Sequence, residues 1–255
     1  ISFQPSDYYN TTLYTGTGAE AAITGVGFQP DIVWTKNRGL TYDQVLSNSV
    51  TGSGKYVDVN QAAGATTDAQ ALKSFDADGY TWGTSDEVNK SASTYGNWNW
   101  KAGTTSGIAT NGSTTITPSS YSFDQTAGAS IIQYTGNGVA GAKVAHGLGA
   151  VPQMIIVKCT SDSQDWCMYH QGIDASGGAP EDYNIKINSS AARSNNSSFW
   201  NDTVPDSVNF TIGDSGDLNS NTQIMAAFSF AEKKGFSKFG SYVGNGNADG
   251  TSVYI

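Results

Sequence analysis

A motif written Tyr-x-Gly-x-Gly occurs three times in this chain, at Tyr14-Thr15-Gly16-Thr17-Gly18, Tyr134-Thr135-Gly136-Asn137-Gly138 and Tyr242-Val243-Gly244-Asn245-Gly246. The tyrosines are 120 and then 108 residues apart. Self-similarity on that scale means a repeated folding unit, and it constrains the architecture more than any local signal. The first two copies are followed by matching segments. Gly27-Phe28-Gln29-Pro30-Asp31-Ile32-Val33-Trp34-Thr35-Lys36 corresponds to Gly149-Ala150-Val151-Pro152-Gln153-Met154-Ile155-Ile156-Val157 and then Lys158, so proline and lysine are six apart in both. Further on, Tyr80-Thr81-Trp82-Gly83 matches Phe210-Thr211-Ile212-Gly213. Val88-Asn89 matches Leu218-Asn219, and Trp98-Asn99-Trp100 matches Phe228-Ser229-Phe230.

The chain therefore divides into a first unit over 1–118, a second over 119–236, and 237–255 as the start of a third. The alternative is that the last segment, Ser241 to Ile255, is the closing strand of a preceding unit. The Thr/Ser/Gly-rich stretch Gly103 to Ser120 reads as the linker, and the start at Ile1 without Met reads as a fragment or processed product.

Each unit reads as strands. Asp31–Lys36 and Gln153–Lys158 are short apolar or β-branched runs entered by a proline, which a strand tolerates at its first residue. Trp98-Asn99-Trp100 and Phe228-Ser229-Phe230 alternate large and small with the period of a strand that has one buried face. Gly, Asn, Asp and Ser cluster between them, and no 3.6-period stripe exceeds two turns. The fold class expected is all-β: two tandem antiparallel β-sandwiches of jelly-roll or lectin type, plus the first strand of a third.

Composition excludes several functions. Only 14% of residues are charged, yet there are 13 Tyr, 10 Phe and 6 Trp, which is not a disordered composition. A net charge of −9 with no Lys/Arg cluster disfavours nucleic acid as a partner. No run approaches 18 apolar residues, so no membrane insertion through a helix is expected.

Catalytic signatures are missing. His146 sits in a glycine-rich turn where the first unit has Gly25, and no Gly-x-Ser-x-Gly elbow supports a serine nucleophile. The Gly-x-Gly steps lack the lysine and helix of a phosphate loop. Glutamates are confined to Glu20, Glu87, Glu181 and Glu232, and the counterparts of the first two are not glutamate, so no carboxylate pair for glycoside cleavage is indicated. Asp76, Asp78 and Glu87 occupy positions 1, 3 and 12 of a calcium loop. Tyr80 and Thr81 stand where a ligand and a glycine are required, so the segment reads as a β-turn with Ca2+ as the weaker alternative. Cys159 and Cys167 flank an expected hairpin, either as free half-buried thiols or as one disulfide. The feature with binding potential is the aromatic set. Sugar rings stack on Trp and Tyr, and Tyr42, Trp82, Tyr95, Trp166 and Trp200 are the glycan-binding candidates, set against the alternative that they are core.

The strings Gly27-Phe28-Gln29-Pro30-Asp31-Ile32-Val33-Trp34-Thr35-Lys36, Ser74-Phe75-Asp76-Ala77-Asp78-Gly79-Tyr80, Trp98-Asn99-Trp100-Lys101-Ala102-Gly103 and Gly235-Phe236-Ser237-Lys238-Phe239-Gly240 resemble a repeat found in tail-fibre and other virion proteins of tailed phages, many of them marine or cyanobacterial viruses. The resemblance spans the chain. It implies a concanavalin-like lectin sandwich and a virion structural or host-attachment role without catalytic residues or a cofactor. It also implies location in a tail fibre or on the capsid surface, extracellular when acting. Other virion proteins and a host cell-surface glycan are the implied partners, and homotrimers are common among such fibres. The alternative is a soluble lectin or carbohydrate-active enzyme not tied to a virion.

Overall fold

The computed structural model describes residues 3–174 and 177–253. In chain order the first repeat contains β1 (Tyr9–Thr15), β2 (Ala21–Thr24), β3 (Ile32–Asn37), β4 (Gln44–Asn48), β5 (Lys55–Asp58), β6 (Thr66–Thr67), β7 (Leu72–Asp76), β8 (Gly79–Trp82), a single helical turn α1 (Asp86–Asn89) and β9 (Thr94–Trp100). The second contains β10 (Ser120–Asp124), β11 (Ala129–Thr135), β12 (Ala142–Ala145), β13 (Met154–Cys159), β14 (Cys167–His170), β15 (Tyr183–Lys186), β16 (Ser194–Asn195), α2 (Ser197–Trp200), β17 (Asn209–Ile212), α3 (Gly216–Asn219) and β18 (Ile224–Phe230). The fold is all-β, and no helix is long and apolar enough to cross a membrane.

Strand order repeats with the sequence. The larger sheets run β1-β9-β3-β4-β5-β6 and β10-β11-β18-β13-β14-β15-β16, so β10 is an added edge. Against them lie the smaller sheets β2-β8-β7 and β12-β17. Val33, Val45 and Tyr56 point from the first large sheet onto Leu72, Tyr80 and Trp82. Ile155, Val157 and Ala227 of the second meet Phe210, Ile212 and Trp200. The stretch between the repeats is not free of the second sandwich, because Ile116 enters its core and accepts a parallel bridge to Val144.

A third core lies between the repeats. Large-sheet residues of the opposite pleat, Ile32, Leu46 and Val57 from one repeat and Ile131, Trp166 and Phe228 from the other, bury against one another. Strands β3 and β13 are apolar on both faces for this reason, since each is covered by its own small sheet and by the other repeat. The two sandwiches therefore form one stack. Near its end, Phe3 stacks on Tyr8 at 5.1 Å between ring centroids and meets Phe236 edge-on at 5.3 Å.

The Tyr-x-Gly-x-Gly motif is tied down identically in both repeats. The Tyr14 hydroxyl donates to the Val88 carbonyl, and the Tyr134 hydroxyl donates to that of Leu218 at 2.7 Å. Asn89, buried at the end of α1, donates to Ala19 O at 2.6 Å and Gly83 O at 2.7 Å while accepting from Thr17 N at 2.8 Å. Asn219 makes the same three bonds to Val139 O, Gly213 O and Asn137 N. A Cβ on Gly16 would lie 2.2 Å from Lys90 O, and one on Gly136 would lie 2.4 Å from Ser220 O, so backbone contact demands glycine at both.

Candidate functional site: an aromatic groove on the first repeat

Four of the five aromatic side chains expected to stack on sugars are sealed. Trp82 and Tyr95 have no exposed surface, and Trp166 and Trp200 have 1%. Trp82 packs edge-on against Tyr80, Trp200 against Tyr169, and the Tyr95 hydroxyl donates to Asp86 O. A pyranose cannot reach any of these ring faces. Tyr42 is half-buried in the loop after β3, with the Lys90 ammonium 5.9 Å from its ring centroid.

The residues at positions 1, 3 and 12 of the calcium-like segment are not brought together. Asp76 accepts from Thr81 Oγ1 at 2.7 Å, and Asp78 accepts from Gly25 N at 3.0 Å and Gly27 N at 2.6 Å, which holds its carboxyl below the usual range. Both flank the β7–β8 turn, while Glu87 belongs to α1. Among the described residues no group of His, Cys, Asp or Glu is arranged to hold a metal ion. His146 is buried, accepts from Leu148 N through Nδ1, and has its pKa lowered by desolvation. Cys159 and Cys167 are free, buried thiols, and burial pushes the Cys167 thiol up.

Aromatic surface that reaches solvent lies elsewhere, on the face of the first large sheet that turns toward the second repeat, at the margin of the core between them. Trp34, Trp98 and Trp100 line a groove of about 370 Å³ together with Lys36 and Gln44. Trp34 and Trp98 are directly paired across β3 and β9, with ring centroids 5.9 Å apart and planes at 58°. Trp98 is 38% exposed. The strand period puts all five side chains on one face, because residues 34 and 36 of β3, 98 and 100 of β9, and 44 opposite Lys36 share that pleat.

The second repeat shows what this groove becomes when it is covered. Gln44 N donates to Asn60 Oδ1 at 2.9 Å and Trp166 N to Asn188 Oδ1 at 3.0 Å, which makes Trp166 the counterpart of Gln44. Lys36 donates to Tyr42 O, and Lys158 to Gln164 O at 2.5 Å, six residues on in both cases. The loop after β5 then closes over the second-repeat site. Trp166 Nε1 donates to Asp58 O at 3.0 Å, Lys158 Nζ to Ala62 O at 2.7 Å, and Ala65 N to Thr160 O at 2.7 Å. The reciprocal segment of the second repeat, 189–196, is exposed and leaves the Trp34–Trp98 side open. Trp34 Nε1 is buried without a hydrogen-bond partner among the described residues, whereas Trp166 Nε1 has one, so the exposure on the first-repeat side is that of Trp98.

One electrostatic difference accompanies this asymmetry. In the second repeat Lys186 Nζ bridges Asp165 at 2.5 Å and Asp217 at 3.1 Å, and these partners raise its pKa. By strand register, Asp58 holds the position of Lys186 beside Asp43 and Glu87. Burial first, then the Asp43 and Glu87 charges, push the Asp58 carboxyl up to about 6.

Sequence reasoning passed over Trp34, Trp98 and Trp100 because alternation alone does not say which face is core. No local signal separates the two repeats, because Lys36, two residues after Trp34, corresponds to Lys158, which is fully buried.

The architecture defines an all-β protein of two sandwich-like repeats fused through their large sheets. The chain belongs to the DUF7483 family, described as a domain of unknown function, whose profile matches residues 4–255. No curated protein and no solved structure matches the chain.

Proposed function

We propose that this chain is a non-enzymatic structural protein of a tailed-phage virion, a tail-fibre or head-decoration segment, that presents its Trp34–Trp98–Trp100 groove to a host-surface glycan. The groove is the observation that supports this reading. It combines tilted indole faces, on which sugar C–H faces pack, with a lysine and a primary amide able to hydrogen-bond hydroxyls. Trp98 is 38% exposed where its counterpart Phe228 is 2% exposed, so the first repeat keeps open an aromatic position that the second has closed. The low-charge surface suits a virion exterior, and many copies on one particle would compensate for a weak single site. The three acids Asp43, Asp58 and Glu87 line neither this groove nor the 670 Å³ cleft beside Asp31 at the junction of the repeats, which disfavours glycoside hydrolysis.

Binding of the purified chain to an array of bacterial surface glycans tests the proposal, with Trp98→Ala as the control. Retention of a defined glycan by the wild type and its loss in Trp98→Ala is the expected result. Failure of the folded wild type to bind any surface glycan, or equal binding by the variant, would overturn the role of the groove.

A further inference from the structure

The two large sheets differ at one edge. In the second repeat β11 is covered by β10, which pairs Ser122 with Ile131 and Ser120 with Gln133. In the first repeat the equivalent strand β1 pairs with β9 on one side and ends the sheet. Among the described residues no strand lies along its other side. The segment before β1 does not supply one, because Pro5–Asp7 coils into a turn of 3-10 helix and Phe3 stacks on Tyr8.

Register decides which backbone groups are left over. Lys101 N donates to Tyr8 O at 2.8 Å and Gly16 N to Ser93 O at 2.7 Å, so the even-numbered residues of β1 bond to β9. The N–H and C=O groups of Tyr9, Thr11 and Leu13 therefore point out of the sheet edge. Their counterparts Ala129, Ile131 and Gln133 face β10. Thr11 N donates to the neighbouring Asn10 Oδ1 at 2.9 Å, a local bond that an incoming carbonyl can replace. Leu13 is 71% exposed, and Tyr9–Thr15 has no charge, proline or bulge, the devices that protect an edge. The opposite ends of the large sheets, β6 and β16, are two residues long.

We propose that β1 is a homodimer edge, at which two copies of this chain join antiparallel about a two-fold axis through Thr11 to make one continuous sheet. The edge is self-complementary, which favours a second copy as its occupant. Centring on Thr11 sets Tyr9 opposite Leu13 of the other copy, so outward-facing residues meet outward-facing residues and each pair exchanges two hydrogen bonds. Leu13 gains an aromatic cross-strand neighbour. Charge favours the same occupant. Asp7 precedes β1, and at the far end Arg38 Cδ lies 3.9 Å from where a Cβ on Gly96, the partner of Leu13, would be. Antiparallel pairing brings the Asp7 end of one copy to the Arg38 end of the other, and neither residue has an ion pair among the described residues. Trp98 is directly opposite Thr11, so the two Trp98 backbones would stand three strand spacings apart, about 14 Å, on one sheet face. The association needs no glycan, so it stands or falls apart from the role of the groove.

Sedimentation of the full chain without glycan, over a wide concentration range, tests the proposal. The expected result is a monomer–dimer equilibrium that Leu13→Lys weakens at least about tenfold by placing an ammonium on the edge. Thr11→Pro removes one outward N–H and none of the bonds to β9, and should act alike. Val139→Lys puts the same charge on an exposed residue of the second repeat and should change nothing. Cross-linking reads the register. Thr11→Cys should oxidise to a covalent dimer, because position 11 faces itself across the axis, and Thr15→Cys should not. Cys159 and Cys167 are buried and stay out of the reaction. A monomer at every concentration, association unchanged by Leu13→Lys, or cross-linking no greater at position 11 than at 15, would overturn the proposal. Should Thr11→Pro fail to fold, Leu13→Lys and the two cysteine variants decide it.

Discussion

Trp100 packs against Phe230, its own counterpart in the second repeat, with ring centroids 6.3 Å apart. Contact between equivalent residues is the mark of a self-complementary interface, here formed inside one chain. The symmetry is incomplete. Trp166 is sealed under the loop after β5, whereas the Trp34–Trp98 side lacks its cover.

Removing Trp166 should therefore damage both repeats. Trp166→Ala opens a cavity at the junction and removes the ring whose centroid lies 6.0 Å from the Lys158 ammonium. We expect a loss of about 3–5 kcal/mol in urea unfolding. Trp166→Phe, which keeps most of the apolar contact but loses the bond to Asp58 O, should cost about 1 kcal/mol. Equal effects of the two changes would show that the hydrogen bond, not packing, holds the junction.

Asn219 is fully buried and satisfies three backbone groups of the second motif. Asn219→Ala leaves Val139 O, Gly213 O and Asn137 N without that partner, at a cost of about 2–4 kcal/mol. Hydrogen exchange should locate the damage, with amide protection lost around residues 136–139 before it is lost in β13. Uniform loss through the sandwich would contradict a local anchoring role.

Asp58 predicts a pH dependence of known sign. Its folded pKa of about 6 lies above the ordinary aspartate value of 3.8, so the native state holds a proton that the unfolded chain releases earlier. Its contribution is complete below about 4 and is lost as pH rises through about 6. Asp43 and Glu87 face it with like charge, and Lys36 is a nearby cation that acts on Glu87. Asp58→Asn should remove this dependence, so the variant-minus-wild-type stability rises between pH 4 and 7 by roughly 1 kcal/mol after screening by solvent. A flat difference across that range would show that Asp58 is an ordinary carboxylate.

Asp58→Lys goes further, because it copies the arrangement around Lys186. The new ammonium would lie between Asp43 and Glu87, and thermal unfolding at pH 7 should shift upward by about 2–4 °C. A lower midpoint would mean that the first-repeat pocket cannot hold the longer side chain.

The all-β class and the repeat could be read from the chain because both rest on local rules. Tyr14 and Tyr134 mark the same turn, and the alternation around Asn99 and Ser229 marks the same strand. The docking geometry was not legible. Gln44 and Trp166 occupy one structural position, and only the distant loop after β5 decides that one is solvated and the other sealed. Aromatic count likewise pointed to Trp82, Tyr95 and Trp200, which the cores had claimed. The open ring of Trp98 sits in a strand segment that looks like core, because its counterpart Phe228 is core, whereas Trp34 and its counterpart Ile156 are both half-buried.

The aromatic contact between Phe3 and Phe236 has a topological consequence. It joins the segment before β1 to the segment after β18, so side chains close the two-repeat stack into a loop whose first and last strands are tied by an edge-on ring pair.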